Sequence, residues 1–188
     1  MWWLDRRNAL TRGAGVALAM ALSGLLAGCF EPLYASRTFD GKPGMRQRLS
    51  AIEVDQIPAP AASPEARMAV AIRNALLFDL TGGTEAQRPT HRLKITITGN
   101  RQQVIVDPNT ARPDMELVGF YASYSLIEIA TGKVAVTGYT NGRASYDIPG
   151  QEQRFAAARG QLDAYERTAK VIADNITTRL ASYFASGT

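Results

Sequence analysis

The stretch MELVGFYASYSLIEIATGKVAVTGYTNGRASY, residues 115–146, decides the fold. Its first half, residues 115–129, is rich in β-branched and aromatic residues, which favour strands. A four-residue turn at 130–133 leads directly into a second β-rich run at 134–146. A connection this short joins antiparallel neighbours. The stretch therefore predicts a long antiparallel hairpin. One of the two faces of its first strand carries Val118, Phe120, Ala122, Tyr124 and Leu126.

Two more strands are predicted upstream of this hairpin. Residues 91–98 alternate, with Leu93, Ile95 and Ile97 on one face. After Gly99 and Asn100 this strand can resume at 104–106, before the turn residues Asp-Pro-Asn at 107–109. A weaker alternation over 49–57 predicts a first strand, and the proline-rich residues 58–62 end it.

Two amphipathic helices complete the pattern. The first begins at Ser63-Pro64-Glu65, because serine caps a helix, proline suits its first position and an acidic side chain suits its positive end. Glycines at 82–83 end it. The second helix runs over 151–184, and Gly160 is its one weak point. The apolar stripes of the two helices are Ala69, Ile72, Leu76 and Leu80, and Phe155, Ala158, Leu162, Tyr165, Ala169, Ile172, Ile176 and Leu180.

The predicted element order is β-α-β-β-β-α. Each helix has one apolar stripe, and a stripe has to be buried against another layer. We therefore predict an α+β fold, with a mostly antiparallel four-stranded sheet and both helices packed on one of its faces. A single domain is expected over residues 49–184, preceded by a tether at 29–48 and followed by a tail at 185–188.

The amino terminus is unlike the rest of the chain. Residues 1–28 combine three arginines with an uncharged run and end in small residues, which is the layout of a secretory signal peptide. A transmembrane anchor is the alternative, but a span needs about 20 apolar residues and 13–30 supply only 18, several of them small.

Cys29 is the single cysteine of the chain and follows this apolar run directly. Leu26-Ala27-Gly28-Cys29 resembles a lipobox, the site at which a bacterial lipoprotein is cut and acylated. The alternative is a buried, inert thiol, which does not explain this position. The resemblance implies an acylated Cys29. Two or more acyl chains give stable anchoring in a membrane.

The charge balance narrows the classes of partner. The whole chain has 21 basic and 17 acidic residues, and removal of 1–28 leaves 18 and 16, a net charge of +2. No basic run with interleaved aromatics is present, and we expect no nucleic-acid partner. Charge at this level allows an acidic partner without requiring one.

Residues that could carry catalysis are sparse. His91 is the one histidine and Cys29 the one cysteine, so histidine and cysteine cannot build a zinc site. His91 itself is expected to be an exposed histidine at the start of a strand. Gly82-Gly83 lacks the Lys-Ser/Thr of a phosphate loop. We therefore expect no catalytic residues, no metal, no cofactor and no enzymatic activity.

Binding residues are sought instead on the strands and turns. Exposed tyrosine and arginine are common at protein interfaces, and basic side chains can meet lipid phosphates. Ordinary strand propensity and a solvated sheet face are the alternatives. The residues chosen as candidates for partner or lipid binding are Arg101, Lys133, Arg143, Tyr121 and Tyr139.

A family resemblance follows directly after the lipobox. Cys29-Phe30-Glu31-Pro32-Leu33-Tyr34 resembles the amino-terminal signature of the LptE family, Cys-Gly-Phe-x-Pro-Leu-Tyr, with the glycine missing. The order of elements over 49–184 is also similar to that family. The resemblance implies a lipoprotein that plugs the LptD outer-membrane β-barrel, helps it fold and takes part in lipopolysaccharide transport. It also implies that the protein can bind lipopolysaccharide.

The residue after the cysteine bears on location. An aspartate there would resemble an inner-membrane retention signal, and Phe30 therefore implies a lipid anchor in the outer membrane, facing the periplasm. Two other functions stay open: a lipoprotein component of a periplasmic lipid-trafficking transporter, and a small lipoprotein hydrolase.

Overall fold

The computed structural model describes residues 43–83, 87–105, 113–148 and 154–186. The predicted signal peptide, Cys29, the Phe-x-Pro-Leu-Tyr motif and the turn at 107–109 lie outside the described residues. The described ranges contain seven elements in chain order: α1 Met45–Ser50, β1 Ile52–Val54, α2 Pro64–Thr81, β2 His91–Ile105, β3 Pro113–Glu128, β4 Val134–Asp147 and α3 Arg154–Ser186.

The four strands form one sheet in the order β1-β2-β3-β4. β2, β3 and β4 pair antiparallel as a meander, whereas β1 runs parallel to β2. The parallel pair arises because α2 carries the chain back before β2 begins. β2 continues through Gly99 and Asn100 as one strand, without the interruption that the sequence suggested. The predicted α+β class, with a mostly antiparallel sheet, is confirmed.

Local signals define α2 as predicted. The Ser63 hydroxyl accepts a hydrogen bond from the Ala66 amide at 3.1 Å, and Pro64 opens the helix. Gly82 ends it with a left-handed φ of +63°, a conformation that glycine adopts without strain. The sequence pattern does not predict the short helix α1, because it places residues 45–48 in the tether and Leu49 in the first strand. Leu49 is instead a buried residue of α1.

Both long helices cover one face of the sheet and bury their stripes there. Leu93, Phe120 and Leu126 point into this layer from the strands, and Ile72 and Ile172 meet them from the helices. The α3 stripe is buried only from Ala164 onward. Phe155 is 91% exposed and Leu162 43%, so their predicted place in the core is wrong. Ala158 is exposed as well.

Glycines let the aromatic residues and α3 lie close to the sheet. In the strand register Phe120 stands between Gly99 on β2 and Gly142 on β4. A Cβ atom on Gly99 would lie 2.7 Å from the Phe120 ring, and one on Gly142 would lie 2.7 Å from the Thr168 carbonyl oxygen of α3. Because Gly99 and Gly142 have no side chain, the Phe120 ring and α3 can pack this closely against the sheet.

Candidate functional site

The sheet face opposite the helices is uncovered within the described part of the chain. Because side chains alternate along a strand, burial of Phe120 and Tyr124 turns Tyr121 and Ser123 to this outer face. On β4, Tyr139 is paired with Ser123 and is 86% exposed. We call this surface the open face. It is the surface on which three of the five predicted binding residues lie together.

Tyr121 and Arg143 form a pair on the open face. The Arg143 Nη2 atom donates a hydrogen bond of 2.9 Å to the Tyr121 hydroxyl. Tyr121 is 45% exposed, and a small recess of about 70 Å³ lies beside the pair, lined also by Gln102 and Leu117. The Arg143 guanidinium has no ion pair among the described residues, so its charge is available to an acceptor.

The rest of the open face is mostly polar, and Lys94 on β2, the strand partner of Ser125, adds a further exposed charge. At the β1 end, Arg92 is paired with Glu53 at 3.2 Å and Asp55 at 3.4 Å, which neutralises it. Short hydroxyl and amide side chains occupy the middle, where they can donate and accept hydrogen bonds. These are Thr96, Thr98, Ser123, Ser125, Thr137 and Asn141.

Arg101 belongs to the helix side and not to the open face. Its Nη2 atom donates to the Tyr165 hydroxyl of α3 at 2.8 Å, and its Nε lies 3.9 Å from Glu116. Burial, and then the neighbouring Glu116, raises the pKa of Tyr146 in the same cluster. Arg101 therefore holds the amino-terminal part of α3 to the strands.

Lys133 lies apart from the other predicted residues. It sits in the turn between β3 and β4, where its carbonyl accepts from the Glu128 amide at 2.9 Å. Ten residues of strand separate it from Arg143, which is roughly 33 Å at 3.3 Å per residue. Of the five predicted binding residues, the structure thus brings together Tyr121, Tyr139 and Arg143 and separates Arg101 and Lys133 from them.

His91 is half-buried, and the expectation of an exposed histidine is wrong. Its Nδ1 lies 2.9 Å from the Thr90 hydroxyl, and its ring stands edge-on to Phe184 with 5.2 Å between centroids. Burial lowers the pKa of His91, and Glu128 opposes that effect. The ring borders a cleft beside α1, which sequence reasoning missed because α1 itself was not foreseen.

The described residues provide neither a metal centre nor a membrane-spanning helix. They contain no group of three or more His, Cys, Asp or Glu side chains able to hold a metal ion. Neither does any helix in 43–83, 87–105, 113–148 or 154–186 have the length and apolar character needed to cross a membrane.

Solved structures similar to this chain include bacterial lipoproteins. A candidate lipoprotein from Caulobacter crescentus is similar with a TM-score of 0.61 and 19% identity, over 77% of this chain and 97% of its own. Rare lipoprotein B from Shewanella oneidensis has a TM-score of 0.48 and 14% identity, over 72% of this chain and 96% of its own. A minor lipoprotein from Acinetobacter baumannii has a TM-score of 0.47 and 10% identity, over 70% of this chain and 90% of its own.

The likeness to the Caulobacter structure supports a shared fold, and at this identity it concerns the fold alone. No protein-family model matches the chain, and no curated protein sequence does.

Proposed function

We propose that the chain is an outer-membrane lipoprotein that assists the lipopolysaccharide translocon, as plug and folding partner of an LptD-type β-barrel. Three features support this. The lipobox-like Cys29 supplies the anchor, and Phe30-Glu31-Pro32-Leu33-Tyr34 resembles the signature of the LptE family. The fold is one that a candidate bacterial lipoprotein shares.

The open face is the observation that carries the proposal. The lumen of an outer-membrane barrel is polar, and its side chains alternate with those that face lipid. A sheet face with a hydroxyl-rich middle can meet such a wall by hydrogen bonds, and Lys94 and Arg143, which have no ion pair among the described residues, would be matched by acidic groups on that wall. Tyr139 and the Tyr121–Arg143 pair would be the anchors, because tyrosine and arginine contribute most at interfaces.

Lipopolysaccharide is the proposed ligand of the assembly. Arg143 carries a guanidinium without an ion pair in the described residues, and a guanidinium binds phosphate through paired N–H donors. The proposed role needs no reaction at this site: the chain acts by binding, and by holding the barrel in its folded form.

Co-purification from membranes tests the proposal. The acylated full-length chain is extracted in detergent, and the bound barrel is measured by mass spectrometry. The double variant Tyr139→Ala with Arg143→Ala should reduce the recovered barrel at least about tenfold, since each anchor is worth on the order of 1 kcal/mol or more. The matched control is Phe78→Ala, because Phe78 is an aromatic residue 69% exposed on α2, on the other side of the molecule.

Depletion of the chain gives the second test. Loss of a folding partner should lower the level of folded barrel and admit hydrophobic antibiotics. Normal barrel and unchanged surface lipopolysaccharide after depletion would overturn the proposal and favour the lipid-trafficking lipoprotein. Equal barrel recovery with the double variant and with Phe78→Ala would show that the open face is not the contact.

A further inference from the structure

A cleft of about 780 Å³ opens at one end of the molecule, where α1, the start of β2 and the end of α3 meet. We call it the α1 cleft. Tyr183 and Phe184 form its apolar wall, and the His91 ring stacks edge-on to Phe184. Both aromatic side chains are only half-buried, so part of each ring faces the open volume. A volume of this size lies within the range of about 300–1,000 Å³ found for ligand pockets.

The charge of the α1 cleft is positive. Arg48 and Arg88 line it, and none of its lining residues is an aspartate or glutamate. Arg48 donates a 3.0 Å hydrogen bond to the Phe184 carbonyl, which is an uncharged acceptor. Neither arginine forms an ion pair with a described residue. An occupant that combines aromatic or aliphatic groups with a carboxylate would match the wall and the charge together.

The chain itself enters at this place. Pro43, the first described residue, lines the cleft, so the preceding segment arrives at its rim. That segment contains Phe30, Leu33 and Tyr34 with Glu31 among them. Pro32 restricts the backbone and lowers the entropy lost when the segment is ordered.

We propose that residues 30–35 fold back and occupy the α1 cleft. The eight peptide units between Ala35 and Pro43 span up to roughly 27 Å, which allows the chain to leave the rim and return. The apolar side chains would pack on Tyr183 and Phe184, and the Glu31 carboxylate would face Arg48 and Arg88. The occupant is then already present in every copy of the chain at high effective concentration.

This inference deepens the proposed function and rests on it for its consequence. If Cys29 is acylated, a docked segment places the acyl chains directly beside the α1 cleft, because Cys29 immediately precedes Phe30. The domain would then be held at the membrane by that end, with a defined orientation, instead of on a long tether. The open face, which runs along the strands away from this end, would stay free for the barrel.

Disulfide trapping in the full-length chain tests the docking. The double variant Ala35→Cys with Gln87→Cys keeps every proposed contact. Gln87 is an exposed residue of the cleft lining, and the proposed contacts with Glu31 are made by Arg48 and Arg88. A bridge forms only when the two Cα atoms come within about 7 Å, and the periplasm is oxidising. Bridged and free thiols are measured by alkylation and intact mass after extraction.

The matched control is Ala35→Cys with Lys133→Cys. Lys133 is exposed in the turn at the same end of the sheet, two strands or roughly 10 Å from β2, so a loose segment would reach it too. We expect a bridged fraction about tenfold larger for Gln87→Cys than for Lys133→Cys. Adding Leu33→Ala and Tyr34→Ala should lower the first fraction to that of the control.

Three results would overturn the inference. Equal bridging at both positions would show that the segment is not held in the cleft. Bridges only between two chains would make a second copy the occupant. Absence of bridging, together with binding to phosphatidylglycerol vesicles that Arg48→Gln and Arg88→Gln abolish, would make a lipid headgroup the occupant. The mass of Cys29 in the same sample reports acylation separately, so bridging without acylation would contradict only the proposed anchor.

Discussion

Replacing Gly142 with alanine would drive a methyl group into the contact between β4 and α3. The added Cβ would stand 2.7 Å from the Thr168 carbonyl oxygen and 3.1 Å from Ile172 Cγ1. The oxygen belongs to the helix backbone, which cannot rotate away as a side chain can. The helix itself has to move, and overpacking of this kind costs about 1–3 kcal/mol.

The smaller backbone entropy loss of alanine on folding acts in the opposite direction and raises stability. Alanine in place of a strand glycine regains about 0.5–1 kcal/mol, because glycine loses more backbone entropy on folding. Taken at the middle of both ranges, the net loss of unfolding free energy for Gly142→Ala is about 1 kcal/mol. At about 2–4 °C per kcal/mol for a domain of this size, Tm should fall by roughly 2–4 °C.

Gly160→Ala is the matched control within α3. A Cβ atom there would lie 3.6 Å from Tyr146, an ordinary contact, so only the helix preference remains. The expected gain is about 0.5–1 kcal/mol. Thermal unfolding followed by circular dichroism measures both variants under one condition. If Gly142→Ala were as stable as the unmodified chain while Gly160→Ala gained stability, the close approach of α3 to β4 would be refuted.

Four further predictions concern the anchor, the core and two titrating groups. Cys29→Ser should leave an uncut, unacylated precursor by intact mass, and a mature amino terminus elsewhere than Cys29 would contradict the lipobox. Ile172→Asp puts a charge at a fully buried position and should cost several kcal/mol in urea unfolding; an unchanged midpoint would exclude it from the core. Burial, and then the neighbouring Asp174, raises the pKa of Asp79 above 3.8, so the folded state holds this proton more tightly and loses stability as pH rises through that window. Asp79→Asn should therefore raise Tm at pH 7 and have no effect below pH 3.8, and an equal effect at both pH values would exclude this cause. The single imidazole of His91 should titrate by NMR with a midpoint below 6.5, since burial lowers its pKa; the folded state then binds fewer protons, and its stability falls as pH drops below 6.5.

Local sequence signals were sufficient wherever one segment sets its own structure. The Ser63-Pro64 start and the Gly82 end of α2 follow from which groups can satisfy helix termini. The turn before β4 is too short for anything but an antiparallel pair. Cys29 and the motif after it are likewise properties of the chain alone, and they carry most of the functional reasoning.

The candidate site was only partly predictable for a geometric reason. Alternation separates Tyr121 from Tyr124, but it does not say which parity the helices will cover. Packing of α3 buries Tyr124 and leaves Tyr121 beside Arg143 on the open face. Arg101 has the opposite parity to Gln102, so it bonds to Tyr165 on the helix side although its type and position resemble those of a binding residue.

The sequence by itself therefore determined the order of the four strands and two long helices and the limits of α2, because each depends on neighbours within a few residues. Tertiary structure decided which face stays open, why Phe155 lies outside the core, and that α1 and the end of α3 enclose a cleft around His91. These features depend on contacts between residues far apart in the chain, such as Arg48 with Phe184, 136 positions away. A periodic pattern shows that a surface must be buried, and only the packed layers show what buries it.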